Sequence, residues 1–151
     1  MLGSEIVRAR WGTGLLVTGA LLSALNAAVH FVLPVIYPWG ELVDGLYEPL
    51  RWALYASMFF FGLLLLLASI LTRLLARASD APPRYLAAVA GGMAVFWALA
   101  TAYQLMAPFP LPVAATALPV FSGLTALLHA AGLWLRLAEP VRPAQLAWEG
   151  R

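Results

Sequence analysis

The stretch "WALYASMFFFGLLLLLASILTRLL", residues 52–75, decides the fold of this chain, because it is almost wholly apolar and carries one charge, Arg73. A helix needs roughly 20 apolar residues, rising about 1.5 Å each, to cross ~30 Å of hydrocarbon. A barrel strand needs only about 9–11 residues and alternates polar with apolar positions. Since backbone groups find no water inside a bilayer, the stretch predicts a membrane-spanning α-helix.

The composition of the whole chain agrees with a membrane protein. Of its 151 residues, 63% are hydrophobic and 11% are charged, and its mean hydropathy is +0.86. Soluble domains are about 45–50% apolar and about 25% charged, so the chain belongs with integral membrane proteins. The absence of cysteine excludes disulfides and thiolate metal sites. A net charge of +2 gives no basis for nucleic-acid binding.

Three further apolar runs flank this stretch, at about residues 11–33, 85–106 and 117–135. Together with residues 52–75 they predict an all-α fold, an integral membrane four-helix bundle that occupies residues 1–151 as a single domain. The first run is long for the apolar region of a signal peptide and has no evident small-residue cleavage site, so we expect it to be a span.

The distribution of arginine predicts how the spans are oriented. Eight of the nine arginines lie on one side of the spans, and only Arg51 lies on the other side, among acidic residues. The positive-inside rule therefore predicts cytoplasmic termini, an N-in/C-in topology. Trp11, Tyr85 and Trp134 are expected at the arginine-rich membrane interface. Three prolines bracket the loop after the first span and limit continuation of the helices into it: Pro34, Pro38 and Pro49.

Small residues predict which helix faces pack together, because they let membrane helices approach closely. On the third span, Ala87, Gly91, Ala94 and Ala98 recur every three or four residues, and we name this row the small-residue seam. The seam predicts that the third helix is central and that this face is buried. The second span is bulky nearly all round, which predicts the most lipid-exposed helix.

Two stripes of polar residues share the helical spacing i, i+3, i+7: Ser23, Asn26 and His30 on the first span, and Ser122, Thr125 and His129 on the fourth. We expect the two stripes to form hydrogen bonds across one helix interface, with Asn26 bonded to Ser122 or Thr125. Polar groups inside a membrane often mark function, so a ligand or quinone pocket is an alternative interpretation.

The two histidines, His30 and His129, also raise the possibility of a haem with two axial ligands. Counted from the ends of the spans, their depths differ by roughly 18 Å at 1.5 Å per residue. Two ligands of one haem lie at nearly the same depth, so we expect no shared haem. A second copy or a partner chain could still complete a haem site at either histidine.

A polar cluster is predicted near the outer surface, where residues of the first three spans reach similar depth: His30, Asn26, Arg51, Tyr55, Tyr103 and Gln104. Together with His129, these are the candidate cofactor-binding residues, and they could hold a quinone head group or a polar lipid. The alternative is an ordinary interfacial belt, in which Arg51 pairs with Glu48.

Enzyme signatures are absent from the sequence. It contains no H-E-x-x-H, P-loop or nucleophile elbow, and no carboxylate lies within a span. We therefore predict no catalytic and no metal-ligating residues.

Three segments carry a resemblance to a known group of proteins: "AVHFVLP" at 28–34, "LRWAL" at 50–54 and "FWALATAYQL" at 96–105. In this order they resemble uncharacterised four-helix bacterial membrane proteins of the broad DoxX-like kind. The resemblance implies a multi-pass protein of the bacterial cytoplasmic (inner) membrane, and it assigns no functional residue.

The sequence thus favours a small non-enzymatic integral membrane protein. It would act as an accessory or structural subunit of a larger bacterial membrane complex. Its partners would be the lipid bilayer and either other membrane subunits or further copies of itself. The alternative is a binding or redox module that holds a quinone, lipid or haem near His30 or His129.

Overall fold

The computed structural model describes residues 2–36 and 39–138, and within them the secondary structure consists of helices, with no strand. The helices are α1 (Leu2–Ile36), α2 (Trp39–Val43), α3 (Glu48–Arg77), α4 (Pro83–Met106) and α5 (Pro112–Leu137). The four long helices, α1, α3, α4 and α5, are each long and apolar enough to cross a membrane. The prediction of an all-α fold with four apolar helices is confirmed.

Each predicted span lies inside one long helix, but the helices extend beyond the apolar runs. α1 begins at Leu2 and includes polar residues, because backbone hydrogen bonding continues where hydropathy falls. α1 also continues through Pro34 to Ile36, although we expected that proline to limit the helix. A proline this close to the end of a helix removes one backbone hydrogen bond, so its effect is small. Pro49 lies in the first turn of α3, as expected.

The long helices pack in an up-down-up-down bundle. α1 lies along both α3 and α5, α4 lies along α5, and α3 and α4 touch only lightly. The start of α1 meets the ends of two neighbours, since Thr13 donates a hydrogen bond to the Ala76 carbonyl and Gly12 lies against Gly132. We call this end of the bundle the basic end, because six arginines lie there: Arg8, Arg10, Arg73, Arg77, Arg84 and Arg136.

Burial identifies the central helices. In the most apolar 18 residues of each helix, 28% are buried in α1 and α5, 22% in α4 and 17% in α3. The second span is therefore the most exposed, as predicted. The prediction that the third span is central was wrong, since α1 and α5 carry most of the packing.

Glycines allow the closest helix contacts. A Cβ placed on Gly132 of α5 would lie 2.8 Å from Leu16 Cγ and 3.0 Å from the Gly12 carbonyl oxygen of α1. On the other side of α1, a Cβ on Gly62 of α3 would lie 3.3 Å from the Ala27 carbonyl oxygen. A side chain at these positions would push the backbones apart, so glycine sets the helix separation on both sides of α1.

The small-residue seam is not the buried face of α4. The buried residues of α4 are Leu86, Ala90, Met93 and Trp97, whereas Ala98 is exposed and Gly91 is half-buried. The rotation of α4 instead turns Met93 and Trp97 into the interior. The seam lies instead beside α5 on the outside of the bundle, where a Cβ on Gly91 would only touch Leu133 at 3.6 Å.

Candidate functional site

A buried tryptophan forms the polar link between α1 and α4. Trp97 donates its indole N–H to the Ser23 hydroxyl at 2.8 Å, and Ser23 donates to the Gly19 carbonyl at 3.0 Å. Ser23 is fully buried and Trp97 is 3% exposed. Every hydrogen in this chain of bonds has an acceptor, which is the condition for burying polar groups in an apolar interior.

A second polar link joins α4 to α5 through Ser122. Thr101 Oγ1 lies 2.9 Å from Ser122 Oγ, and Gln104 Oε1 lies at the same distance from that hydroxyl. Thr101 donates to Ser122, and the single proton of Ser122 is shared between Gln104 Oε1 and the Leu118 carbonyl, which lies at 3.0 Å. The three side chains make a compact network at the α4–α5 interface.

These bonds correct the predicted pairing of the two polar stripes. Ser23 and Ser122 both bond to α4, and Thr125 donates to the Phe121 carbonyl of its own helix. Asn26 is half-buried, and its backbone carbonyl receives the bond from His30. The prediction that Asn26 bonds to Ser122 or Thr125 was wrong. Side chains of α4 bond to the two serines instead, Trp97 to Ser23, and Thr101 and Gln104 to Ser122.

His129 is fully buried between α5 and α1. Its Nδ1 lies 2.8 Å from the Thr125 carbonyl oxygen. A carbonyl only accepts, so Nδ1 carries the proton and a neutral ring has its lone pair on Nε2. Within residues 2–36 and 39–138, Nε2 of His129 is the buried side-chain nitrogen or oxygen that has no hydrogen-bond partner.

His30 has the same local geometry in a different environment. Its Nδ1 lies 2.8 Å from the Asn26 carbonyl, and its ring packs against Phe61 at a tilt of 46°, with 4.7 Å between centroids. Phe61 contacts Phe96 at 5.7 Å and begins a row of aromatic rings across the bundle, which continues through Trp97 to Phe121. His30 therefore belongs to an aromatic layer that connects all four long helices.

The predicted outer cluster is spread over several locations. Gln104 lies with Ser122 at the α4–α5 interface, while His30 and Asn26 lie at the α1–α3 side. Arg51 pairs with Asp44 at 3.3 Å rather than with Glu48. The remaining members, Tyr55 and Tyr103, are 36% and 69% exposed.

The separation of the two histidines agrees with the sequence estimate. The His129 ring lies beside Gly19, where a Cβ would be 2.8 Å from its Nδ1. His30 lies farther along α1, roughly 16 Å from Gly19 at 1.5 Å per residue. The two rings therefore lie at different levels and do not fit as axial ligands of one haem. In the part of the chain that the structure describes, no group of three or more His, Asp or Glu side chains could hold a metal ion.

A groove opens on the outside of the bundle between α4 and α5, and we call it the α4–α5 groove. Its volume is about 480 Å³. The residues that line it are Ala94, Ala130, Leu133, Trp134, Leu137 and Ala138. Three alanines make part of its surface, while Trp134 is 68% exposed at its edge. It is an apolar groove that takes in one member of the small-residue seam, Ala94.

Sequence reasoning missed Trp97 as the partner of Ser23 and missed the role of Gly19 beside His129. A signal for Trp97 was present, since a tryptophan in the middle of an apolar span needs an acceptor for its N–H. The acceptor itself could not be chosen without the rotation of the helices.

Fold and contacts together define the class: an all-helical bundle of four long apolar helices held by glycine contacts and two small polar networks. Family models, curated proteins and solved structures give no significant match to this chain.

Proposed function

We propose that this chain is a small non-enzymatic subunit of the bacterial cytoplasmic membrane, which packs against another membrane protein through its α4–α5 groove. The proposal includes the N-in/C-in topology, with the basic end at the cytoplasmic face. The same face could also join two copies of the chain. The DoxX-like resemblance of the sequence is compatible with this function.

The α4–α5 groove is the observation that carries the proposal. Membrane helices associate mainly through close van der Waals contact, and small residues at the contact surface make it possible. Ala94 and Ala130 offer such a surface on neighbouring helices, and the space above them is open. The exposed residues Leu64 and Leu67 of α3 are bulky and suit lipid chains instead.

The interior gives further support. The buried polar groups on α1 and α4 bond to each other or to backbone, as Trp97 and Ser23 do, and form a fixed scaffold. A scaffold of this kind presents its outer surface in one geometry, which favours recognition by a partner.

Orientation can be tested separately with reporter fusions. Fusions after Ala81 and after Ala138 should both report the cytoplasm, since both positions belong to the basic end. A periplasmic signal from either fusion would contradict the N-in/C-in topology.

The association itself is tested by filling the groove. Ala94→Leu places a larger side chain in the groove, and Ala88→Leu makes the same change at an exposed position of α4 that does not line it. Extracts in mild detergent are compared by native electrophoresis. We expect the wild-type protein and Ala88→Leu to migrate in a complex, and Ala94→Leu to migrate as the separate chain. Migration of all three as the same species would contradict the proposal.

A second candidate function, a module that holds a quinone, lipid or haem, is supported by the unpartnered Nε2 of His129. A buried lone pair is a site for a hydrogen-bond donor or a metal. An absorbance spectrum of the purified protein and an organic extract test it directly. A Soret band or an extracted quinone that is lost in His129→Leu would favour this function over the first.

A further inference from the structure

A second groove, which we call the basic groove, opens at the basic end of the bundle. Its volume is about 400 Å³. The residues that line it come from three helices: Ala9, Arg10, Thr13, Gly14, Val17, Arg77 and Arg136. One arginine each from α1, α3 and α5 therefore lines this space.

Contacts beside the groove fix the position of these helices. Thr13 donates its hydroxyl to the Ala76 carbonyl at 3.2 Å, one residue before Arg77. The last carbonyls of a helix have no partner within it, so this bond from α1 caps the end of α3. On the α5 side, a Cβ on Gly12 would lie 3.0 Å from Arg136 Cγ. The absence of a side chain at Gly12 leaves room for the stem of Arg136 against α1.

Charge distinguishes this groove from the rest of the surface. No carboxylate is present among the described residues that line it. The ion pair between Arg51 and Asp44 lies at the opposite end of the bundle. A phosphate between Arg10 and Arg77 would be attracted by the charges of both. Phosphate oxygens match the planar fork of donors that arginine provides.

The groove also has an apolar part. Gly14 and Val17 lie one and two turns farther along α1 than Arg10, towards the middle of the apolar helix. Trp11 and Trp134, which are 66% and 68% exposed, lie at the same end of the bundle, as interfacial tryptophans do. The groove thus runs from a cationic mouth at the interface into the region of the acyl chains.

From this arrangement we propose that the basic groove binds an anionic phospholipid, with the phosphate among Arg10, Arg77 and Arg136 and an acyl chain along Gly14 and Val17. Basic pockets between membrane helices bind anionic head groups in this way. The proposal depends on the membrane placement of the helices, and it does not depend on a protein partner at the α4–α5 groove.

Native mass spectrometry of the purified protein tests the proposal. The protein is exchanged into detergent that contains phosphatidylglycerol and phosphatidylcholine in equal amounts, and bound lipids are counted for each variant. The test variant is Arg10→Gln/Arg77→Gln. The matched control is Arg73→Gln/Arg84→Gln, which removes the same charge at the same end of the bundle but outside the groove.

We expect the wild-type protein and the control to prefer phosphatidylglycerol equally. The test variant should lose that preference by about 30-fold, as the removal of two arginines beside an anionic head group implies. An equal loss in both variants would assign the preference to general surface charge and overturn the site. A wild-type protein that does not prefer phosphatidylglycerol over phosphatidylcholine would overturn the proposed site as well.

A thermal unfolding experiment on the wild-type protein avoids any effect of substitution on folding. Phosphatidylglycerol should raise the Tm, while phosphatidylcholine and inorganic phosphate should not, since the site needs both the anion and the acyl chain. A rise with inorganic phosphate equal to that with phosphatidylglycerol would identify a simple anion site and contradict the lipid proposal.

Discussion

Gly19 of α1 lies against the imidazole ring of His129 of α5, so closely that a Cβ on Gly19 would be 2.8 Å from both Nδ1 and Cε1 of the ring. His129 is held in this position by its bond to the Thr125 carbonyl. The ring therefore occupies the place that a side chain at position 19 would take. This contact sets the distance between the two most buried helices of the bundle.

The contact predicts that Gly19→Ala destabilises the protein. The new methyl group must displace the ring or separate α1 from α5, and such overpacking costs about 1–3 kcal/mol. Gly14→Ala is the matched control, because a Cβ there meets nothing within 4 Å. Unfolding in mixed micelles measures the free energy of each variant. Equal stability of the two variants would show that the bundle adapts to a methyl group at position 19.

The bond between Trp97 and Ser23 predicts a coupling between the two residues. Ser23→Ala leaves the buried indole N–H without an acceptor, which costs about 1–3 kcal/mol. In a Trp97→Phe background the indole is gone. The cost of Ser23→Ala should then be smaller by about 0.6–2 kcal/mol, the energy of the bond. A double-mutant cycle on the free energy of unfolding measures this difference. Strict additivity of the two changes would mean that the bond contributes nothing.

The unpartnered Nε2 of His129 predicts that His129→Leu is tolerated. Leucine removes a buried lone pair that has no donor, and this gain offsets the lost bond to the Thr125 carbonyl. We expect the free energy of unfolding to stay within about 1 kcal/mol of the wild-type value. Leu16→Ala, at a fully buried residue of the same interface, is the sensitivity control and should cost about 2–5 kcal/mol. A loss of stability at His129→Leu as large as that of Leu16→Ala would mean that the imidazole contributes more than these contacts explain.

Much of the fold could be predicted from the sequence because hydrocarbon thickness and hydropathy determine where a helix can span. The run 52–75 fell within α3 for this reason. The exposure of α3 was also predicted, although its contact with α1 uses a face with small residues such as Gly62, Ser69 and Ala76, which the apolar pattern did not reveal. The ends of the helices were less predictable, because hydrogen bonding continues through Pro34 and into the polar residues before Trp11.

The rotation of each helix could not be predicted with the same success. On α4, the small-residue seam and the buried row that contains Met93 and Trp97 are offset by one residue, which turns a helix by about 100°. Small residues favour close contact wherever it occurs, inside the bundle or at its outer surface. The sequence pattern therefore identified a contact surface on α4 but could not distinguish an internal partner from an external one.

The same uncertainty in rotation affected the polar residues. Both polar stripes were predicted to lie at a helix interface. Four members are fully buried, namely Ser23, Ser122, Thr125 and His129, whereas Asn26 and His30 are half-buried. The partners of Ser23 and Ser122 lie on α4, whereas Thr125 and His129 bond to carbonyls of their own helix. A stripe on one helix predicts burial, whereas a hydrogen bond requires the position of two helices.

Association through the α4–α5 groove is the central claim, and site-specific cross-linking in native membranes tests it most directly. The chain has no cysteine, so Ala130→Cys in the groove and Leu64→Cys on the exposed face of α3 each introduce a single reactive site for a photoactivated thiol reagent. We expect Ala130→Cys to give a discrete product heavier than the 16.2 kDa chain, and Leu64→Cys to react with lipid alone. Discrete products of equal yield at both positions, or at neither, would contradict the claim.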